Sequence, residues 1–180
     1  TPALLEKLMP KLAGKVAFWG PKMGANAPRK PVVPRALSGN TLTLEGQTIN
    51  VQDLGKTGKI TVISFWATWC KPCVNELTAI NEVYGTWKEE TGVKLIAISI
   101  DDARTMASVA PFINGKGWDF DVYLDPNGDF KRAMNVNMVP HTFLLNGKGE
   151  VVDQHTSFAP GDEDKLFEKV KKTAAGQPLD

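Results

Sequence analysis

What most constrains this chain is an order of elements: a buried strand, a helix and a second buried strand in immediate succession. Residues 60–66 (Ile-Thr-Val-Ile-Ser-Phe-Trp) form an apolar, β-branched run, the pattern of a strand covered on both faces. Val74, Leu77, Ile80, Tyr84 and Trp87 then recur every three or four residues, as on one face of a helix. Residues 93–100 return to a continuous apolar run. Two strands separated by a helix are parallel, and the crossover between them is right-handed. An α/β architecture with a parallel core follows.

Leu42, Leu44, Ile49 and Val51 flank Glu45-Gly46 and predict a hairpin ahead of that unit. After it, Asp101 or Asp102 is placed to cap a helix over 103–114, with a kink expected at Pro111. Residues 122–124 read as a short strand closed by the turn Asp125-Pro126-Asn127-Gly128. Residues 143–145 and 150–154 pair across Asn146-Gly147, adding antiparallel strands to the same sheet. Leu166, Phe167 and Val170 mark a closing helix. Residues 1–36 read differently: Leu4, Leu5, Leu8 and Leu12 form a stripe interrupted by Pro10, and a Pro/Gly-rich connector follows. The chain thus divides into an N-terminal arm (1–36) and a domain (37–180) that includes the hairpin.

Length and charge narrow the function. The 180 residues suit one domain with an extension. A formal charge of +1, from 21 basic and 20 acidic side chains, leaves no footprint for nucleic acid or an anionic membrane. No apolar run approaches the ~20 residues needed to cross a bilayer. The chain starts at Thr1, so the lack of a targeting segment says nothing about secretion.

Only two cysteines occur, both in Cys70-Lys71-Pro72-Cys73. A structural disulfide stabilises most when it closes a long loop, so a pair three apart reads as chemistry. Cys70 falls at the predicted helix N-terminus, where unpaired N–H groups and the macrodipole favour an anion. Pro72 suits the first turn, since the N–H it lacks has no partner there. The reactive species is the thiolate, and a Cys-x-x-Cys pair so placed has a lowered pKa. A zinc site would need further ligands, yet only His141 and His155 remain, thirteen residues between them. The pair is a redox dithiol, requiring no cofactor and no metal beyond its own disulfide.

The segment Ser64-Phe-Trp-Ala-Thr-Trp-Cys-Lys-Pro-Cys73 resembles the active-site strand and turn of thioredoxins, and most closely the TlpA/ResA-like branch. The resemblance runs from about residue 37 to 175 and rests also on Val139-Pro140 before the Phe143 strand and on extra elements between Val93 and Pro140. It implies a thioredoxin-like three-layer fold, a mixed central sheet with helices on both faces. It implies a thiol–disulfide oxidoreductase, of the protein-disulfide reductase type, located outside the cytoplasm in the periplasm or cell envelope. Disulfide-containing proteins would be its substrates, a membrane carrier its electron donor, and a tether beyond these residues would be compatible. Pro140 would be cis and face the dithiol, with Val139 and Trp69 completing the substrate surface. A proline there leaves the amide and carbonyl of residue 139 free to pair with an extended substrate.

One departure is Ser64, where thioredoxins proper carry a buried aspartate. Glu76 lies one turn beyond Cys73 on the same helix face. The resemblance suggests that it takes the proton of Cys73; the plain alternative is a solvated helix glutamate. His141, beside Pro140, is either a thiolate-stabilising group or an ordinary strand residue, and His155 has no evident partner. The competing functions are a copper(I) chaperone, which would need a Cys-x-x-x-Cys pair and a distal histidine, and a thiol peroxidase. The latter carries threonine three residues before its cysteine, where this chain has Ala67.

Overall fold

The computed structural model describes residues 36–179. The arm expected over 1–36 lies outside the described residues, apart from Ala36, which bridges Glu150. One seven-stranded sheet forms from β1 (Asn40–Leu42), β2 (Thr48–Asn50), β3 (Thr61–Trp66), β4 (Lys94–Ser99), β5 (Asp121–Leu124), β6 (His141–Leu145) and β7 (Val151–Thr156), in the order β2-β1-β5-β4-β3-β6-β7. The helices are α1 (Val51–Gly55), α2 (Lys71–Thr91), α3 (Val109–Lys116), α4 (Asp129–Ala133) and α5 (Asp162–Ala174). β3, β4 and β5 are parallel, and the remaining pairings are antiparallel. The mixed sheet is the expected one.

Alternation along the strands creates two cores. Val62, Trp66, Leu95 and Leu144 face Leu77 and Ile80 of α2, Val109 of α3, and Leu166 and Val170 of α5. Trp87 of α2 stacks on Phe167 of α5 with ring centroids 5.0 Å apart. On the other side, Ile63, Phe65, Ile96 and Phe143 face Leu54 of α1 and Phe130 at the start of α4. Phe65 meets Phe130 edge-on at 5.0 Å and Phe143 at 5.9 Å. Full burial of such a ring contributes about 2–3 kcal/mol. The sheet is thereby covered on both faces, giving three layers.

Three local expectations need correction. The helix after β4 starts at Val109, behind a 3₁₀ turn at Met106–Ser108, and not at 103. Pro111 is the third residue of α3, where its missing N–H costs nothing, so no kink is required. The five-residue helices α1 and α4 carry too few turns to show periodicity. Only the N-cap of α1 is visible in the residues: Asn50 Oδ1 accepts from Gln52 N at 2.9 Å. The β6–β7 loop is also wider than an Asn-Gly turn, closed by Asn146 N donating to Glu150 O at 2.9 Å. Gly149 holds φ +82° there, and a Cβ on it would lie 3.0 Å from the carbonyl oxygen of Gly55.

Candidate active site

The chain leaves β3 at Trp66, turns, and enters α2 at Lys71, with Cys70 as the N-cap. Cys70 Sγ accepts from the Cys73 amide at 3.3 Å, a capping role that an oxygen more often fills. Cys70 and Cys73 are joined as a disulfide, with Cα atoms 5.3 Å apart. Their exposures differ in the sense that matters: 7% for Cys70 and none for Cys73. When the pair is reduced, the orphan amides of the first turn of α2 face Cys70 and favour its thiolate. Cys73 lies inside the helix, among the apolar side chains of the first core.

The Val139-Pro140 bond is cis. Phe65 pairs with His141, which sets Pro140 beside the end of β3 from which the Cys70 turn departs. Pro140 is buried and its carbonyl accepts from Ser157 N at 3.1 Å. Val139 is half-buried and packs against both cores. Trp69 stands out at this edge with 63% exposure, whereas Trp66 is wholly internal, meeting Trp118 edge-on at 5.2 Å.

Glu76 is 1% exposed, which removes the reading of a solvated helix glutamate. Its carboxylate is held on every side. Thr142 Oγ1 donates to Oε1 at 2.6 Å and Ser64 Oγ donates to the same oxygen at 3.2 Å. His155 Nε2 lies 3.3 Å from Oε2. A buried carboxylate without such partners would carry a large desolvation cost. Ser64 therefore is a ligand of the carboxylate rather than a gap left by a missing aspartate.

Of the two alternatives for His141 the structure shows the strand residue, and His155 gains the partner that the sequence left unnamed. His141 follows Pro140 directly, but its ring stacks on Phe143 at 4.5 Å and its Nε2 meets Gln154 Oε1 at 2.9 Å. Phe143 belongs to the second core, so His141 faces away from Cys73 and Glu76. Burial holds its pKa below the usual imidazole value, although the Gln154 contact works in the opposite direction. His155 pairs with Thr142 across the β6–β7 ladder and so shares the face of Glu76. The copper reading thereby loses the histidine on which it depended. Among the described residues, no group of three His, Cys, Asp or Glu side chains is placed to hold a metal.

Asp101 is a further residue that the sequence placed wrongly. Fully buried, it accepts from Thr68 N at 2.9 Å, Thr68 Oγ1 at 2.6 Å, Ser99 Oγ at 2.6 Å and Thr105 Oγ1 at 2.8 Å. It ties the turn before Cys70 to the end of β4. Asp102 caps no helix either: it accepts from Arg104 N at 3.0 Å within the turn ahead of the 3₁₀ segment.

The AhpC/TSA family matches residues 31–154, more than half of the chain. The chain belongs to that family. It is similar to thiol-disulfide oxidoreductase ResA of Bacillus thuringiensis (strain Al Hakam), 39% identical over 111 residues, or 62% of this chain and 61% of the relative. The chain thus spans about three fifths of the length of that relative. Sporulation thiol-disulfide oxidoreductase A of Bacillus subtilis (strain 168) is 28% identical over 158 residues, 87% of this chain and 90% of the relative. An uncharacterized thioredoxin-like protein from Porphyromonas gingivalis superposes with a TM-score of 0.68 at 45% identity, covering 79% of this chain and 92% of that one. The matched part is similar to ResA, and the fold is thioredoxin-like, with the Cys70–Cys73 pair at the N-terminus of its longest helix, α2. The threonine expected of a peroxidase is absent, since position 67 is a buried alanine and the Thr68 hydroxyl is engaged by Asp101.

Proposed function

We propose that the protein reduces disulfides of protein substrates outside the cytoplasm, drawing electrons from a membrane carrier. The observation that carries the reading is the asymmetry of one dithiol: Cys70 at a helix N-terminus with residual exposure, Cys73 a turn deeper with none. The Cys70 thiolate attacks a substrate disulfide, forming a mixed disulfide and releasing one substrate thiolate. Cys73 gives its proton to Glu76, and its thiolate attacks Cys70 Sγ. The second substrate thiolate leaves, so the dithiol has passed two electrons to the substrate and ends as the Cys70–Cys73 disulfide. Trp69, Val139 and Pro140 form the surface against which an extended substrate lies.

Direction follows from electrostatics. A strongly oxidising pair needs an exceptionally stabilised thiolate. Lys71, the one charge between the cysteines, is exposed on a flexible stem and contributes little. His141 is turned to the far face with its charged form disfavoured. A midpoint of about −200 to −280 mV is expected, nearer the reducing than the oxidising end of such proteins. Glutathione titration tests this, and a midpoint near about −120 mV would make the protein an oxidase. In an oxidising compartment a reductase must be recharged, hence the membrane donor. Trapping with Cys73→Ser in the native cell would identify the substrates.

A further inference from the structure

The proton that Glu76 takes from Cys73 returns to the thiol unless it leaves a site with 1% exposure, so resolution depends on its exit. Its carboxylate has three polar neighbours, and two of them lead inward. Ser64 is fully buried and Thr142 is 1% exposed. The third, His155, is 27% exposed, with Nε2 3.3 Å from Glu76 Oε2. His155 also lines a cleft of about 180 Å³ between β7 and α5. Among the described residues bonded to Glu76, His155 alone touches both the carboxylate and that cleft.

We infer that His155 is a relay residue that carries the Cys73 proton from Glu76 to solvent. The inference rests on the dithiol reading above. When Cys73 is deprotonated, the proton moves from its sulfur to Glu76. It passes from Oε2 to His155 Nε2, and the imidazolium releases its Nδ1 proton to water in the cleft. The departing substrate thiolate takes a proton from solvent, so the balance closes. Imidazole suits this task because its two nitrogens allow one proton to enter as another leaves. His155 acts through Glu76 and positions it as well, since in its Nε2–H form it donates to the carboxylate.

The charged groups around the cleft are already paired. From α5, Lys169 is bonded to Asp153 at 2.8 Å and Lys165 pairs with Asp162 at 3.7 Å, so the lysines lining the cleft are themselves countered. From α2 the site receives Cys73 and Glu76, from β3 the neutral Ser64, and from β6 the neutral Thr142. His141 projects from the opposite face of β6, and its own charged form is disfavoured, chiefly by burial.

The test is single-turnover stopped flow of the reduced full chain with a fluorescent peptide disulfide. First thiol release reports Cys70 attack, and second release reports resolution by Cys73. His155→Ala should leave the first phase unchanged, slow the second by about tenfold or more, and alter its pH profile. Added imidazole should restore the second phase in proportion to its free base. His155→Gln, which keeps a donor near Oε2 but cannot relay, should stay slow and show whether loss of positioning explains the defect. A second phase at the wild-type rate in His155→Ala would overturn the relay. So would full recovery in His155→Gln with no response to imidazole. Absence of thiol release by the wild-type protein would instead defeat the dithiol reading itself.

Discussion

His141 and His155 sit on the same hairpin, yet one strand step separates packing from chemistry. His141 projects onto the second core, stacked on Phe143 and bonded to Gln154. Its neighbour Thr142 projects to the opposite face and, with His155, grips the Glu76 carboxylate. Adjacency to Pro140 in sequence makes His141 the obvious candidate, and strand alternation gives the position to His155 instead. The lesson is that distance along a strand matters less than parity. On the α2 side, substitutions should cost rate; on the other side, they should cost stability alone.

The largest effect should fall on the dithiol. Cys70→Ser is expected to abolish exchange, whereas Cys73→Ser should accumulate mixed disulfides with substrate, visible on non-reducing gels. Equal alkylation rates for the two reduced thiols at neutral pH would contradict their difference in burial. Glu76→Gln comes next, slowing resolution by about 10²-fold, the scale of a positioned general base. His141→Gln in the same stopped-flow assay should change the rate less than about twofold, because a side chain outside the reacting network removes no proton transfer. A rate loss for His141→Gln matching that of Glu76→Gln would break the contrast between the two faces.

The layout of this site was only partly open to reading from residues. The β3–α2–β4 unit declares itself because its apolar pattern is long and its periods are distinct. The Cys70 turn is equally plain, since Cys, Pro and helix N-terminus point to one chemistry. Glu76 was findable by helix spacing. His155 was not, because its place depends on hairpin register. A two-residue Asn146-Gly147 turn would set Val151 opposite Thr142. The wider loop and the irregularity at Leu144/Leu145 bring His155 there instead. Asp101 was hidden for a different reason: an aspartate ahead of a helical pattern has a local explanation that conceals its long-range bonds to Thr68.

Asp101 tests whether the α2 side tolerates loss of a purely structural group. Asp101→Ala leaves the Thr68 amide and several hydroxyls without their acceptor. Unsatisfied buried groups of this kind cost about 1–3 kcal/mol each, so a loss of about 3 kcal/mol in chemical denaturation is expected. Asp101→Asn should recover part of it. The rate should fall less than in Glu76→Gln, since Asp101 holds the turn and moves no proton. A rate loss without a stability loss would assign Asp101 to the chemistry and redraw the boundary between the two roles.

The smallest effect concerns the pH dependence of stability on the far face. His141 has its pKa held below the ordinary imidazole value, chiefly by burial, with a smaller contribution from the nearby His155 charge. An imidazole so placed is neutral in the fold at a pH where the unfolded chain already binds a proton. The unfolded state then holds more protons, so stability rises with pH through that interval. The contribution is fully present above the unfolded value of about 6.5 and is lost as pH falls below it toward the folded value. Denaturant midpoints of the wild-type protein should therefore drop between neutral pH and mildly acidic pH. His141→Gln retains a side chain able to meet Gln154 but cannot titrate, so its midpoints should vary less over the same range. Its exchange rate should keep the wild-type pH profile, because Glu76 and His155 lie across the sheet. A stability profile identical to wild type would mean that His141 gains its proton as readily in the fold as outside it. The far face would then be no more excluding than the near one, and burial could not be what silences this histidine.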